Sequence, residues 1–111
     1  MADLITRSDT GTTTTVELRG DFDVGAADDL RHALVDTIMR HRPDHLVIDL
    51  RGVTFMDSTG IGTLVAAYQT ACDLDVAFTV AGPSPFLARV LATSGLHQLL
   101  APPPLAGPRD R

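Results

Sequence analysis

The chain has 111 residues, 44% of them hydrophobic, and its formal net charge at pH 7 is −5. This length is typical of one domain that can bury a core of its own. The sequence contains no lysine, so phosphate binding by a P-loop lysine and Schiff-base chemistry are both excluded. The nine arginines are scattered along the chain, and we therefore expect no contact with nucleic acid.

Signals for export, membrane insertion and metal binding are weak throughout the sequence. The start Met1-Ala2-Asp3 lacks the basic segment of a signal peptide, and no apolar stretch approaches the roughly 20 residues of a membrane helix. We therefore expect a cytoplasmic protein without membrane contact. The single cysteine cannot form an internal disulfide, and the four histidines lack metal-ligand spacing, so no metal or other cofactor is expected.

The first half of the chain predicts two strands, a helix and a third strand. A short strand is expected at residues 4–6, and residues 12–18 alternate in the manner of a β-branched strand with one buried face. Residues 26–40 are predicted to be helical, with Asp28 and Asp29 in the first turn, where negative charge suits the helix dipole. The run HLVIDL at residues 45–50 indicates a central strand covered on both faces. The stripe that the helix should bury comprises Ala27, Leu30, Leu34 and Ile38.

The second half predicts a helix at residues 59–74, a strand at 76–81 and a third helix. Ser84 is placed to cap that last helix, Pro85 to open it and Gly95 to end it. The prediction is an α/β fold of order β-β-α-β-α-β-α, with a mixed four-stranded sheet and packed helices. It spans residues 1–101, and a Pro-rich flexible tail is expected at 102–111. The apolar stripe predicted for the 59–74 helix comprises Ile61, Leu64, Val65, Tyr68 and Cys72.

The turn at residues 55–62 holds the densest polar cluster in the chain. It joins a buried strand to a helix N-terminus, where free backbone N–H groups favour anions. The simplest interpretation is that Asp57 or Ser58 caps the helix, which is worth about 1 kcal/mol. However, Asp57, Ser58 and Thr59 can all cap and only one is needed, so at least one hydroxyl is free for another role.

Catalysis has one candidate in the sequence, the pair Asp21 and Asp23 on either side of Phe22. Such residues more often end a strand and begin a turn, and no orienting histidine accompanies them. A G-x-S-x-G nucleophile motif is also lacking. We therefore expect no enzymatic activity.

The segment LVIDLRGVTFMDSTGIGTLVAAY resembles the signature of STAS domains, and specifically of anti-sigma factor antagonists. The upstream segment LRGDFDVGAADDLRHAL is similar to the strand, turn and helix of that family. The downstream segment AGPSPFLARVLATSGLHQLL is similar to its last helix. Ala26 departs from the pattern, because many members carry threonine there, and Asp21 replaces the usual glutamate. The resemblance implies a STAS fold.

The resemblance also implies partner switching. In this family the antagonist binds an anti-sigma factor and so releases a sigma factor. The anti-sigma factor is itself a serine kinase, which phosphorylates the serine of the D-S-[ST]-G turn and then lets go, and a PP2C-type phosphatase restores the binding form. Here that serine is Ser58, and the matching partner-binding positions are Asp23, Asp57, Thr59 and Gly60.

Two rival functions fit the same sequence. One is a STAS scaffold or transporter-associated module that is never phosphorylated. The other is a small-molecule sensor that holds a nucleotide or another anion at the helix N-terminus. Phosphorylation of Ser58 would separate the first rival from the partner switch, and stabilisation of the fold by nucleotides would support the second.

Overall fold

In the computed structural model, which describes residues 4–93, four strands form one sheet in the order β1-β2-β3-β4. The first two strands pair antiparallel, and the later pairs β2–β3 and β3–β4 are parallel. The strands are β1 (Leu4–Thr10), β2 (Thr13–Phe22), β3 (His45–Met56) and β4 (Ala77–Ala81). The helices are α1 (Val24–Asp36), α2 (Ser58–Asp73) and α3 (Pro85–Thr93), with a π-helical turn at Thr37–His41 after α1. The predicted fold class and element order are confirmed.

Strands β2 and β3 run further than their sequence patterns predict. Their parallel pairing continues beyond Arg19 opposite Gly52 until Phe22 lies opposite Met56. Register shifts interrupt this upper half, between residues 17 and 19 and between 20 and 21. Charged residues and glycines there hide the period-2 alternation on which a sequence prediction depends. Strand β4 stops much earlier, with its last residue opposite Asp49.

The sheet buries one face more deeply than the other. In β2 and β3, residues such as Val16, Leu18, Leu46 and Ile48 are fully buried. On the opposite face Val47 is half-buried, and Asp49 is buried. The prediction that the central strand is covered on both faces is therefore fully correct for one face and correct in part for the other within residues 4–93. None of the helices in that range is long and apolar enough to cross a membrane.

Helix α1 buries the stripe that the sequence predicts, but it begins two residues early. Its N-cap is Asp23, whose carboxylate accepts a hydrogen bond from the backbone N–H of Gly25 at 2.9 Å. Asp28 and Asp29 consequently fall in the second turn, so their predicted place in the first turn is wrong. Ala26, on the first turn, is buried. The confirmed stripe is Ala27, Leu30, Leu34 and Ile38, all buried.

Helix α2 buries a face adjacent to the predicted one, and of the predicted stripe only Leu64 is buried. Cys72 was expected in the core but is exposed, and Ile61, Val65 and Tyr68 are only half-buried. Small side chains let α2 approach α1 and the sheet closely, which leaves the larger side chains at the margin of the contact. The buried positions of α2 are Gly60, Thr63, Leu64, Ala67 and Ala71.

Helix α3 begins as the sequence predicts. The backbone N–H of Leu87 donates to the hydroxyl oxygen of Ser84 at 3.1 Å, so Ser84 caps the helix that Pro85 opens. Leu87 and Leu91 join the core. The predicted helix end at Gly95 and the tail at residues 102–111 lie outside the described residues.

Candidate functional site

Two strand-to-helix turns lie side by side at one edge of the sheet. They meet because β2 and β3 are parallel neighbours that end in register, Phe22 opposite Met56, and each leads directly into a helix. The backbone N–H of Asp57 donates to the carbonyl oxygen of Phe22 at 3.4 Å, which ties the two turns together. In open α/β sheets, ligands usually bind outside the carboxyl ends of the parallel strands.

Asp57 is the N-cap of α2. Its carboxylate Oδ1 accepts hydrogen bonds from the backbone N–H groups of Thr59, at 3.0 Å, and Gly60, at 3.1 Å. Asp57 has nearly the same extended backbone as the N-cap of α1, Asp23, with φ/ψ of −91°/−173° against −92°/−167°. The capping interpretation is confirmed for Asp57, so capping the helix does not require the hydroxyl of Ser58.

Ser58 and Thr59 are the first two residues of α2, and both are exposed. Within residues 4–93, neither side-chain hydroxyl makes a hydrogen bond. The hydroxyl of Ser58 therefore lies at a helix N-terminus, open to another protein, while a neighbouring carboxylate satisfies the backbone.

Gly60 has a packing role at this site. It is buried, and a Cβ atom added to it would lie 2.7 Å from Cγ of Met56 and 2.9 Å from the carbonyl oxygen of Phe22. Any larger residue would push the first turn of α2 away from the end of β2. The resemblance groups Gly60 with the partner-binding positions. In the structure Gly60 is buried and allows the first turn of α2 to pack closely against the end of β2.

The two turns are acidic. Asp21 and Asp23 are exposed, Asp57 is half-buried, and residues 21–24 and 54–60 contain no basic side chain. Thr54 donates a hydrogen bond to Asp21 across the strand pair, which orients that carboxylate. The surface around Ser58 therefore favours a partner with basic groups and opposes added negative charge.

A separate carboxylate lies earlier in β3. Asp49 is buried, and it accepts hydrogen bonds from the backbone N–H of Arg51 at 3.0 Å and from the guanidinium group at 2.8–3.2 Å. These hydrogen bonds, chiefly the side-chain ones, lower the pKa of Asp49 against the opposing effect of burial. The stem of Arg51 crosses Gly82, where a Cβ atom would lie 2.2 Å from Cγ of Arg51. This pair lies within β3, before the strand reaches the Ser58 turn.

Apolar side chains near the turns were missed at the sequence level. Val24, Phe55 and Phe86 are exposed, although hydropathy alone assigns such residues to a core.

Among residues 4–93, no group of three or more His, Cys, Asp or Glu side chains could hold a metal ion.

A mixed sheet whose parallel strands lead into two adjacent, aspartate-capped helices, the second opening with D-S-T-G, defines the class of the protein. The chain belongs to the STAS domain family: residues 5–101 match the family model described as Mlab, STAS domain.

Relatives of the chain include regulatory proteins of bacteria. It is 29% identical over 85 residues to the anti-sigma F factor antagonist of Paenibacillus polymyxa, covering 77% of this chain and 73% of the relative. It is 33% identical over 85 residues to a STAS-domain containing protein of Pseudomonas aeruginosa, covering 77% and 82% of the two chains. An anti-sigma factor antagonist from Mycobacterium paratuberculosis has a similar structure, with a TM-score of 0.78 and 26% identity over 89% of this chain and 83% of the other.

Proposed function

We propose that this protein is an anti-sigma factor antagonist that works by partner switching. The unphosphorylated chain binds an anti-sigma factor, which then releases its sigma factor. The anti-sigma factor is a serine kinase that phosphorylates Ser58 and thereby ends the complex, and a PP2C-type phosphatase restores the binding form. The observation that carries this proposal is the exposed, unbonded hydroxyl of Ser58 beside a cap supplied by Asp57.

The chemistry belongs to the partner. The Oγ of Ser58 attacks the γ-phosphorus of ATP, the new O–P bond forms as ADP leaves, and the hydroxyl proton passes to a base of the kinase. This chain contributes an accessible nucleophile on a firmly capped helix.

Phosphorylation would change the surface without disturbing the fold. It adds about −1.5 to −2 charges and three acceptor oxygens. The carboxylate of Asp57 already occupies the N–H groups of Thr59 and Gly60, so the phosphate remains at the surface beside Asp57. The helix dipole offsets only part of the repulsion. The altered charge therefore acts on recognition by the partner.

The test is a titration of the purified anti-sigma factor with wild type, Ser58→Ala and Ser58→Asp, in ATP or in ADP. Ser58→Ala should bind with either nucleotide, because it cannot accept phosphate. Ser58→Asp should bind far more weakly, since like charges at an interface cost several kcal/mol and each 1.4 kcal/mol is about tenfold in affinity. Both variants should keep the melting temperature of the wild type because Asp57 still caps α2.

Thr59→Ala is the matched control, because it removes the adjacent exposed hydroxyl and should still be released on adding ATP. If Ser58→Ala is released by ATP and Thr59→Ala is not, then Thr59 is the acceptor. If wild type and both Ser58 variants bind equally with either nucleotide, the phosphorylation switch is wrong and an unphosphorylated scaffold is the better account.

A further inference from the structure

Exposed apolar side chains gather at the same edge of the sheet as Ser58. Of the four large hydrophobic residues that are exposed within residues 5–92, three lie on or beside the strand-to-helix turns: Val24 (68% exposed), Phe55 (51%) and Phe86 (65%). The fourth, Met39 (55%), lies in the π-helical turn after α1. Single exposed apolar residues are ordinary, but their concentration in one place indicates a surface that contacts another protein.

Phe55 and Phe86 line one cleft. Its other walls include Met56, Ser84 and Leu87, and its volume is about 140 Å³. The cleft exists because β4 ends opposite Asp49, so the last residues of β3 have no strand beside them on that side. Pockets for small molecules usually measure roughly 300–1,000 Å³. The cleft is therefore large enough for one side chain of a partner protein but too small for a typical small-molecule site.

The acidic side chains around the cleft indicate which surface chemistry a binding partner needs. The cleft adjoins the turn that carries Asp57, and the neighbouring turn carries Asp21 and Asp23. No basic residue occurs in either turn, at 21–24 or 54–60. A complementary surface would present an apolar side chain flanked by arginine or lysine.

We propose that the anti-sigma factor kinase inserts one apolar side chain into the cleft between Phe55 and Phe86, while its basic groups face Asp21 and Asp23. The identity of the partner rests on the proposed function. The cleft anchors the complex, and Ser58 decides whether the complex forms. Buried aromatic residues near an interface centre commonly dominate binding energy, which agrees with this division of roles.

The experiment measures binding kinetics of the purified kinase, in ADP, with wild type, Phe55→Ala, Phe86→Ala and the control Met39→Ala. Truncating either phenylalanine should raise the dissociation rate by roughly tenfold or more, with the association rate nearly unchanged. Met39→Ala removes a comparably exposed apolar side chain elsewhere and should leave both rates unchanged. Asp23→Asn, in contrast, should mainly lower the association rate and its dependence on salt.

Melting temperatures of the variants distinguish a loss of binding from a loss of folding. Phe55 lies within β3, where its replacement could weaken the sheet. If Phe55→Ala melts lower than wild type, Phe86→Ala alone decides, because Phe86 is the more exposed and lies on the surface of α3. Wild-type dissociation rates in a folded Phe86→Ala, while Ser58→Asp still abolishes binding, would overturn the anchor and leave the partner switch standing. A kinase that never binds the wild-type chain would overturn both.

Discussion

Gly60 and Gly62 offer a matched pair of substitutions that tests how closely α2 approaches the end of β2. Both lie early in α2, and replacing either with alanine gains about 1 kcal/mol of helix propensity. At Gly62 nothing lies within 4 Å of an added Cβ, whereas at Gly60 the Cβ would meet Met56 and the carbonyl oxygen of Phe22 at under 3 Å. Crowding of that kind costs about 1–3 kcal/mol, because a backbone atom cannot move aside cheaply.

The propensity gain is common to the two variants, so their difference in unfolding free energy should equal the crowding cost of about 1–3 kcal/mol. For a domain of this size, each kcal/mol shifts the melting temperature by roughly 4–8 °C. Gly62→Ala should therefore melt above wild type and at least about 4 °C above Gly60→Ala. Thermal unfolding followed by circular dichroism measures this. Equal melting temperatures would refute the close approach. If Gly60→Ala stays folded, any loss of affinity for the partner should come from displacement of the turn, because the substitution removes no polar group of the binding surface.

Two further predictions concern carboxylates. Asp57→Ala removes the cap of α2 and should lower the unfolding free energy by about 1 kcal/mol in chemical denaturation, whereas Asp57→Asn keeps a capping oxygen and should lose less. Arg51 lowers the pKa of Asp49, so the ionised carboxylate stabilises the fold above about pH 4, and this contribution is lost as the pH falls through the lowered pKa. The unfolding free energy of Asp49→Asn should accordingly fall less steeply with decreasing pH than that of wild type, as measured by chemical denaturation. An equally steep fall in the two proteins would contradict a stabilising role of the ionised Asp49 carboxylate.

The two long helices differ in how well sequence predicts their buried face. The largest buried side chains of α1 are Leu30 and Leu34, and Ile38 continues the stripe in the π-helical turn, so hydropathy and packing point to the same side of the helix. In α2 the packing face is built largely from glycine, alanine and threonine, which contribute little hydropathy. The larger residues Ile61 and Tyr68 therefore directed the prediction to an adjacent face and placed Cys72 wrongly in the core. Close approach of helices is a property of three-dimensional packing that a hydrophobic period does not contain.

The sequence predicts where the candidate site lies, but it does not predict the role of each residue there or which other elements lie beside it. The motif identified the turn with Asp57, Ser58 and Thr59, yet all three residue types cap helices well, and only the backbone geometry assigns that role to Asp57. The closeness of Asp23 depends on the register of β2 against β3, and the cleft at Phe86 depends on where β4 stops. Pairing register and relative strand length are decided between distant segments, beyond the reach of local patterns.

The cap supplied by Asp57 has an evolutionary consequence for position 58. A residue that both holds a helix and receives a phosphate could change only at the expense of the fold. In the proposed switch the two duties fall on neighbouring residues, so serine can be exchanged for threonine, alanine or aspartate while the backbone N–H groups of α2 keep their acceptor. Most mutations are removed because they destabilise, and this position escapes that filter. The same scaffold can therefore gain, lose or lock a regulatory switch in single steps, each passing through a stable protein.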